Sequence, residues 1–173
     1  MRGAKAKEVM LMIKEGLAPI ANADTRIFIL GSFPGQKSLD AGRYYAHPTN
    51  QFWKLVGAAI GQDLHSIDYD ARLSMLAGSG IGLWDVVSAA RREGSQDSAI
   101  RDARHNPIGG LKEQFPRLEA IAFNGGRAAK DGHRLLAGIE EIQLHDLVSS
   151  SGMARMPLPE KIGRWNVVAR HLI

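Results

Sequence analysis

The chain has 173 residues, 45% hydrophobic and 23% charged, and contains no cysteine. That composition suits a single globular domain over residues 1–173 and excludes disulfides, cysteine nucleophiles and cysteine-held iron–sulfur clusters. A net charge of +4 suits a polyanionic partner, but the basic residues are spread along the chain and form no block.

Residues 5–15 carry Val9, Met10, Met12 and Ile13 at helical spacing. This basic, amphipathic start lacks a small-residue cleavage site, and no apolar run reaches the ~20 residues needed to cross a bilayer. A cytoplasmic location away from membranes is therefore expected. Thr25–Leu30 is short, apolar and β-branched and stops at Gly31-Ser32-Phe33-Pro34-Gly35, the pattern of a buried strand and a tight turn. Pro48 predicts the start of a helix through Phe52, Trp53, Leu55 and Val56, with Asn50 in its first turn. Tyr69–Leu76 reads as a helix and Ile81–Val87 as a strand. Leu118–Phe123 reads as a third strand, ending at Asn124-Gly125-Gly126 before another helix. Ile142–Val148 is a fourth strand, followed by Ser149-Ser150-Ser151-Gly152, and Pro159–Leu172 a closing helix.

Strands alternating with helices imply an α/β fold, a three-layer α/β/α sandwich around a central four-stranded parallel sheet. Ligands bind such folds at the carboxyl ends of the strands. The four ends here carry Gly31–Gly35, Asp85, Asn124–Gly126 and Ser149–Gly152, which predicts one cleft on one rim. No histidine pair has zinc-like spacing, so neither a metal nor a cofactor is expected. His145 and Asp146 stand close to Ser149–Ser151, but nearness in sequence is not triad geometry. His47 reads as a structural residue, Trp53 and Trp84 as core, and Asn124–Arg127 lacks the ending of a phosphate-binding loop.

The stretch GSFPGQKSLDAGRYYAHPTNQFWKLVG, residues 31–57, resembles the uracil-DNA glycosylase superfamily. It looks closest to the hypoxanthine-DNA glycosylase branch, which borders the mismatch-specific uracil/thymine glycosylases. The likeness continues through Gly82–Val87, Gly94–Ile100, Phe123-Asn124-Gly125 and Ser149–Arg155, in family order over roughly residues 25–173.

The resemblance implies a monofunctional DNA glycosylase that flips a deaminated base, uracil or hypoxanthine, out of DNA and hydrolyses its N-glycosidic bond, leaving an abasic site. Asn50 is the implied catalytic residue. An amide is too weak to deprotonate water, but a dissociative reaction needs only a held, oriented water. Tyr45 is the implied stacking surface. Asp85 and Asn124 are the implied readers of the base edge, and Gly31, Ser32 and Phe33 line the pocket from the turn. Ser149, Ser150, Ser151, Gly152, Met153 and Arg155 resemble the loop that enters the duplex, with serine and glycine N–H groups on phosphates, Met153 as wedge and Arg155 on the strand. The mismatch-specific branch carries its catalytic asparagine inside the first turn, where this chain has Phe33. The Ser-rich loop in turn looks closer to that branch than to the Pro-rich loop of the hypoxanthine branch. The expected partner is DNA, as a duplex holding a damaged base or as a single strand, and the expected state is a monomer. The alternatives are a mismatch-specific enzyme for uracil or thymine opposite guanine, a non-catalytic member that binds damaged or single-stranded DNA, and a nucleotide-binding α/β protein.

Overall fold

A computed structural model describes residues 12–173. Four parallel strands form its centre: β2 (Ile27–Gly31), β3 (Ile81–Asp85), β6 (Ala120–Asn124) and β7 (Gln143–Leu147), in the order β3-β2-β6-β7. Strand side chains alternate between faces, and the core divides accordingly. Ile27, Ile29, Ile81, Leu83, Ala120 and Ala122 pack with α2 (Phe52–Ile60), α3 (Tyr69–Ser79) and α6 (Leu158–Trp165). Phe28, Leu30, Ile121 and Phe123 pack on the other face with residues of α4 (Leu111–Gln114) and α5 (Gly126–Leu135). Helix α5 comes so close that a Cβ on Gly132 would sit 2.1 Å from the Phe123 ring. The three-layer sandwich expected from the sequence is present.

A second, antiparallel sheet joins it: β1 (Lys14–Glu15), β4 (Val87–Arg91) and β5 (Arg101–His105), in the order β1-β4-β5. Its core is Phe33, Val87, Ala90 and Ile100. It supports the turn after β2 and the short helix α1 (Gln36–Ala41) that follows, since Leu39 packs on the same cluster.

Several boundaries differ from the sequence reading. The helix read over residues 5–15 falls mostly outside the described residues, and its end, Lys14–Glu15, is a strand paired with Ala90 and Ala89. The strand read as Ile81–Val87 stops at Asp85; the chain then changes sheets, and Val87 begins β4. Helix α2 begins at Phe52 rather than near Pro48, so Asn50 precedes the N-cap Gln51 and is not in the first helical turn. The closing helix is α-helical only to Trp165 and tightens to a 3-10 helix over Asn166–His171. Trp53 is core, as read, whereas Trp84 is half-buried at the edge of the second cluster.

Candidate active site

Strands β2 and β6 are neighbours whose chain connections lead to opposite sides of the sheet, which places the crevice beyond their carboxyl ends. Gly31 is in register with Asp85 on one side of that crevice, and Asn124 with Leu147, just before the serine loop, on the other. All four predicted strand ends therefore meet on one rim. A Cβ on Gly31 would lie 2.5 Å from Asp85 Oδ1 and 3.1 Å from the Tyr45 hydroxyl, so only glycine lets these two groups converge above it.

A chain of hydrogen bonds crosses the crevice. Asn124 Nδ2 donates to the Tyr45 hydroxyl at 3.2 Å and to Ser150 Oγ at 2.8 Å, while Asn124 Oδ1 accepts from Ser150 N at 2.9 Å. Ser150 Oγ donates onward to Asn50 Oδ1 at 2.8 Å. That oxygen also accepts from Phe52 N at 3.0 Å, a backbone donor that fixes which end of the amide is oxygen. No group among the described residues accepts from Asn50 Nδ2, so this end of the side chain is free for a ligand or water. Asn50 is half-buried and lies on the rim with the strand ends.

Tyr45 has φ +53°, an uncommon left-handed backbone for a bulky residue. One face of its ring is stacked on Phe52, with centroids 3.8 Å apart and planes 12° from parallel. A base can stack only on the other face. Burial, with the nearby Asp85 carboxyl next in weight, raises the Tyr45 pKa and keeps the phenol neutral. Asn124 is engaged at both ends of its amide, so reading a base edge would require it to exchange a partner.

Asp85 forms the opposite wall. It is 4% exposed, and its Oδ2 is buried without a hydrogen-bond partner. Burial first, then the Asp97 carboxylate, push its pKa up to about 7, against a smaller opposing pull from Arg92. Ser32 lies next to it and donates from Oγ to Asp97 Oδ1 at 2.5 Å. Phe33 is not gathered into the cleft. Its ring is buried in the second-sheet core with the Arg92 guanidinium 5.1 Å above it, which leaves position 33 only its backbone to offer a ligand.

The serine loop is clamped to the Asn50 segment. Gln51 N donates to Ser150 O at 2.8 Å, and a Cβ on Gly152 would meet Thr49 O at 2.8 Å. Two of the serine N–H groups expected to hold phosphate are taken, Ser150 N by Asn124 and Ser151 N by Ser149 Oγ, and the neighbouring Met153 N is taken by Ser151 Oγ. The loop presents instead Met153, 79% exposed, and Arg155, also exposed.

Three participants escape a sequence reading. Asp97 lies in a block that matched the family without a role, and Arg92 follows a strand that was not anticipated. Lys161 is fully buried and donates to Gln51 Oε1 at 2.8 Å and Ser151 O at 3.1 Å, tying the loop to the Asn50 segment. Its spacing of one helical turn from buried Trp165 was the available signal for an inward-facing lysine. Burial lowers its pKa. His145 contacts His171 at 2.9 Å rather than a serine, in keeping with the dismissal of a triad.

The chain was compared with known proteins. The family model described as the uracil DNA glycosylase superfamily matches residues 18–169. A hypoxanthine DNA glycosylase from Methanosarcina acetivorans is 44% identical over 160 residues, covering 92% of this chain and 100% of the relative. One from Methanosarcina barkeri is 42% identical, over 89% of this chain and 96% of the relative. The solution structure of a candidate uracil DNA glycosylase from Methanosarcina acetivorans superposes with a TM-score of 0.83 at 43% identity, covering 92% of this chain and 98% of the other.

Proposed function

The chain belongs to the uracil DNA glycosylase superfamily, and from that premise we propose that it excises a deaminated base, hypoxanthine or uracil, from DNA and leaves an abasic site. The observation that carries this reading is the hydrogen-bond chain from Tyr45 through Asn124 and Ser150 to Asn50 across the converging strand ends. It fixes an aromatic face, a polar edge reader and an oriented amide relative to one another before any substrate arrives, the preorganisation that catalysis by positioning requires.

The flipped base stacks on the free face of Tyr45, over Gly31. Asp85 meets its edge. With a pKa pushed up to about 7, its carboxyl is partly neutral at neutral pH and presents an O–H donor beside an acceptor. Hypoxanthine and uracil each offer a carbonyl beside an N–H, which complements that pair. The glycosidic bond breaks first, and its electron pair leaves with the base. Asn50 Nδ2 holds a water against the oxocarbenium-like sugar; the water oxygen bonds to the anomeric carbon, and its proton is lost to the departing base. Met153 and Arg155 extend from the clamped loop toward the DNA, Met153 as the wedge that fills the vacated stack. Among the described residues, Lys161 is the lysine tied to the serine loop, and it is buried behind that loop rather than turned to the sugar, so no strand cleavage accompanies base release. The protein acts as a monomer on either duplex or single-stranded DNA.

The test uses labelled oligonucleotides with hypoxanthine, uracil or thymine, single-stranded and opposite each base, followed by alkali to break abasic sites. Cleavage at hypoxanthine or uracil is expected. Cleavage restricted to uracil and thymine opposite guanine would make the enzyme mismatch-specific, and binding without cleavage would make it a non-catalytic member.

A further inference from the structure

Beside the base-excision site lies a second cleft of about 510 Å³, bordered on one side by Tyr45 and Asn50. Its other walls are aromatic rings already paired with cations. The Arg43 guanidinium lies 5.3 Å above the Tyr69 ring, and that of Arg72 lies 5.1 Å from the Trp53 ring. The rings are held in place: Tyr69 Oη accepts from Tyr44 N at 3.0 Å, and Trp53 is 3% exposed. Arg72 is anchored through the carbonyls of Leu64 and His65, at 2.7 and 2.8 Å. Arg43 is exposed, and no salt bridge holds either guanidinium among the described residues. The one carboxylate lining the cleft, Asp68, caps α3 by accepting from Ala71 N at 2.9 Å. Trp53 Nε1–H is buried without an acceptor, so this wall also retains an unused donor.

Fixed rings, a stacked guanidinium and an excess of positive charge, two arginines against the single Asp68 carboxylate, are the chemistry that holds a base and its phosphate together. We propose that this cleft is a second nucleotide subsite. It takes the unstacked nucleotide next to the one being excised, with its base on the Arg43–Tyr69 stack and its phosphate on Arg43 and Arg72. The neighbour on the strand is the natural occupant, because the 45–50 segment that borders the cleft also carries the groups meeting the excised nucleoside. A base enters only when unpaired, so single strands fill the subsite freely and duplexes only after local opening. The inference rests on the glycosylase reading and extends it to the flanking strand.

The experiment shortens single-stranded oligonucleotides with a central hypoxanthine or uracil, one nucleotide at a time from each end, and follows Kd by fluorescence anisotropy alongside base release. Removing the subsite's nucleotide, from one end only, is expected to weaken binding about tenfold, in line with base-stacking energies. Arg43→Ala should abolish that step and reduce the slope of log Kd against log salt by about 0.7, one phosphate contact on a single strand. Arg43→Lys should restore the salt slope but not the whole step, because the ammonium lacks the planar stacking surface. The inference is overturned if no length shows a step, or if Arg43→Ala weakens every length equally. It is overturned too if deoxynucleoside monophosphate binds the wild type, loses affinity in Arg43→Ala and no length step exists, which would make the cleft a site for free nucleotides. A normal Kd step with no base release from any substrate would sink the glycosylase reading and leave the subsite standing.

Discussion

The two walls of the excision cleft are built in opposite ways. On the Asn50–Ser150 side, Asn50 Oδ1, Ser150 N and Oγ, and both ends of the Asn124 amide all have partners. On the Asp85 side, Asp85 Oδ2 and the Nε and Nη1 of Arg92 are buried with none. A wall whose hydrogen bonds are complete except for the one amide N–H group left to hold water, Asn50 Nδ2, is rigid and needs little reorganisation when the reaction occurs. Buried polar atoms without partners are destabilising until something meets them. Under the proposed function, the contrast suits the first wall to aiming and the second to recognition.

The strongest way to break this division is Asn50→Ala. Base release should fall by about 10²–10³-fold, the effect of losing a preorganised polar group, with the circular dichroism spectrum unchanged. A variant that retains the wild-type rate would detach the satisfied wall from the chemistry. Ser150→Ala tests whether aiming depends on the chain rather than on Asn50 alone. It removes the bond to Asn50 and the one from Asn124, and single-turnover base release should slow about tenfold, or ~1.4 kcal/mol.

Asp85→Asn sharpens the other half of the comparison through pH. Because the folded pKa is raised to about 7, the neutral carboxyl contributes stability that is complete below the ordinary carboxylate range and is lost as pH rises through about 7. An amide cannot ionise, so the variant should melt several degrees above the wild type at pH 8 and lose that advantage near pH 4, as read by thermal denaturation at both pH values. The variant's base release should also lose any inflection near pH 7. Equal melting curves at both pH values would mean that Asp85 is not the strained group. The smallest effect expected is that of Met153→Ala on the exposed loop, a few-fold loss of activity on duplex with little change on single strands, because only a duplex has a stack to fill. Equal losses on both substrates would remove the wedge role.

Three of the central strands were legible because their residues are apolar runs bounded by turn residues, and Ile27–Gly31 is buried at every position. The fourth, Gln143–Leu147, is polar and partly exposed, and was marked instead by its apolar flanks Ile142 and Val148 and the serine turn after it. The second sheet was not. Arg101–His105 is polar and mostly exposed, with no alternation to mark a strand, and the sheet change at Val86 interrupts what reads as one continuous apolar segment. The helix start at Pro48 misled because proline permits a first helical turn without requiring one. Here Asn50 Oδ1 takes Phe52 N, and Gln51 N is tied to the serine loop, so the helix begins only after both.

By itself the sequence determined the α/β class, the rim where the strands end and the identity of Asn50, Tyr45, Asp85 and Asn124 as candidates. The class and the rim follow from periodicity and turn chemistry, and the four candidates from the resemblance of their motifs to a known family; all of these are carried by neighbouring residues. Tertiary structure alone decided that Asn124 and Ser150 hold each other, that Phe33 turns into the core, that Lys161 locks the loop and that Asp85 is crowded by Asp97. Such facts depend on groups far apart in the chain, as Ser150 and Asn50 are by 100 positions. Hydrogen bonding and desolvation act over a few ångströms of space, and no local pattern records which distant side chains packing will bring within that reach.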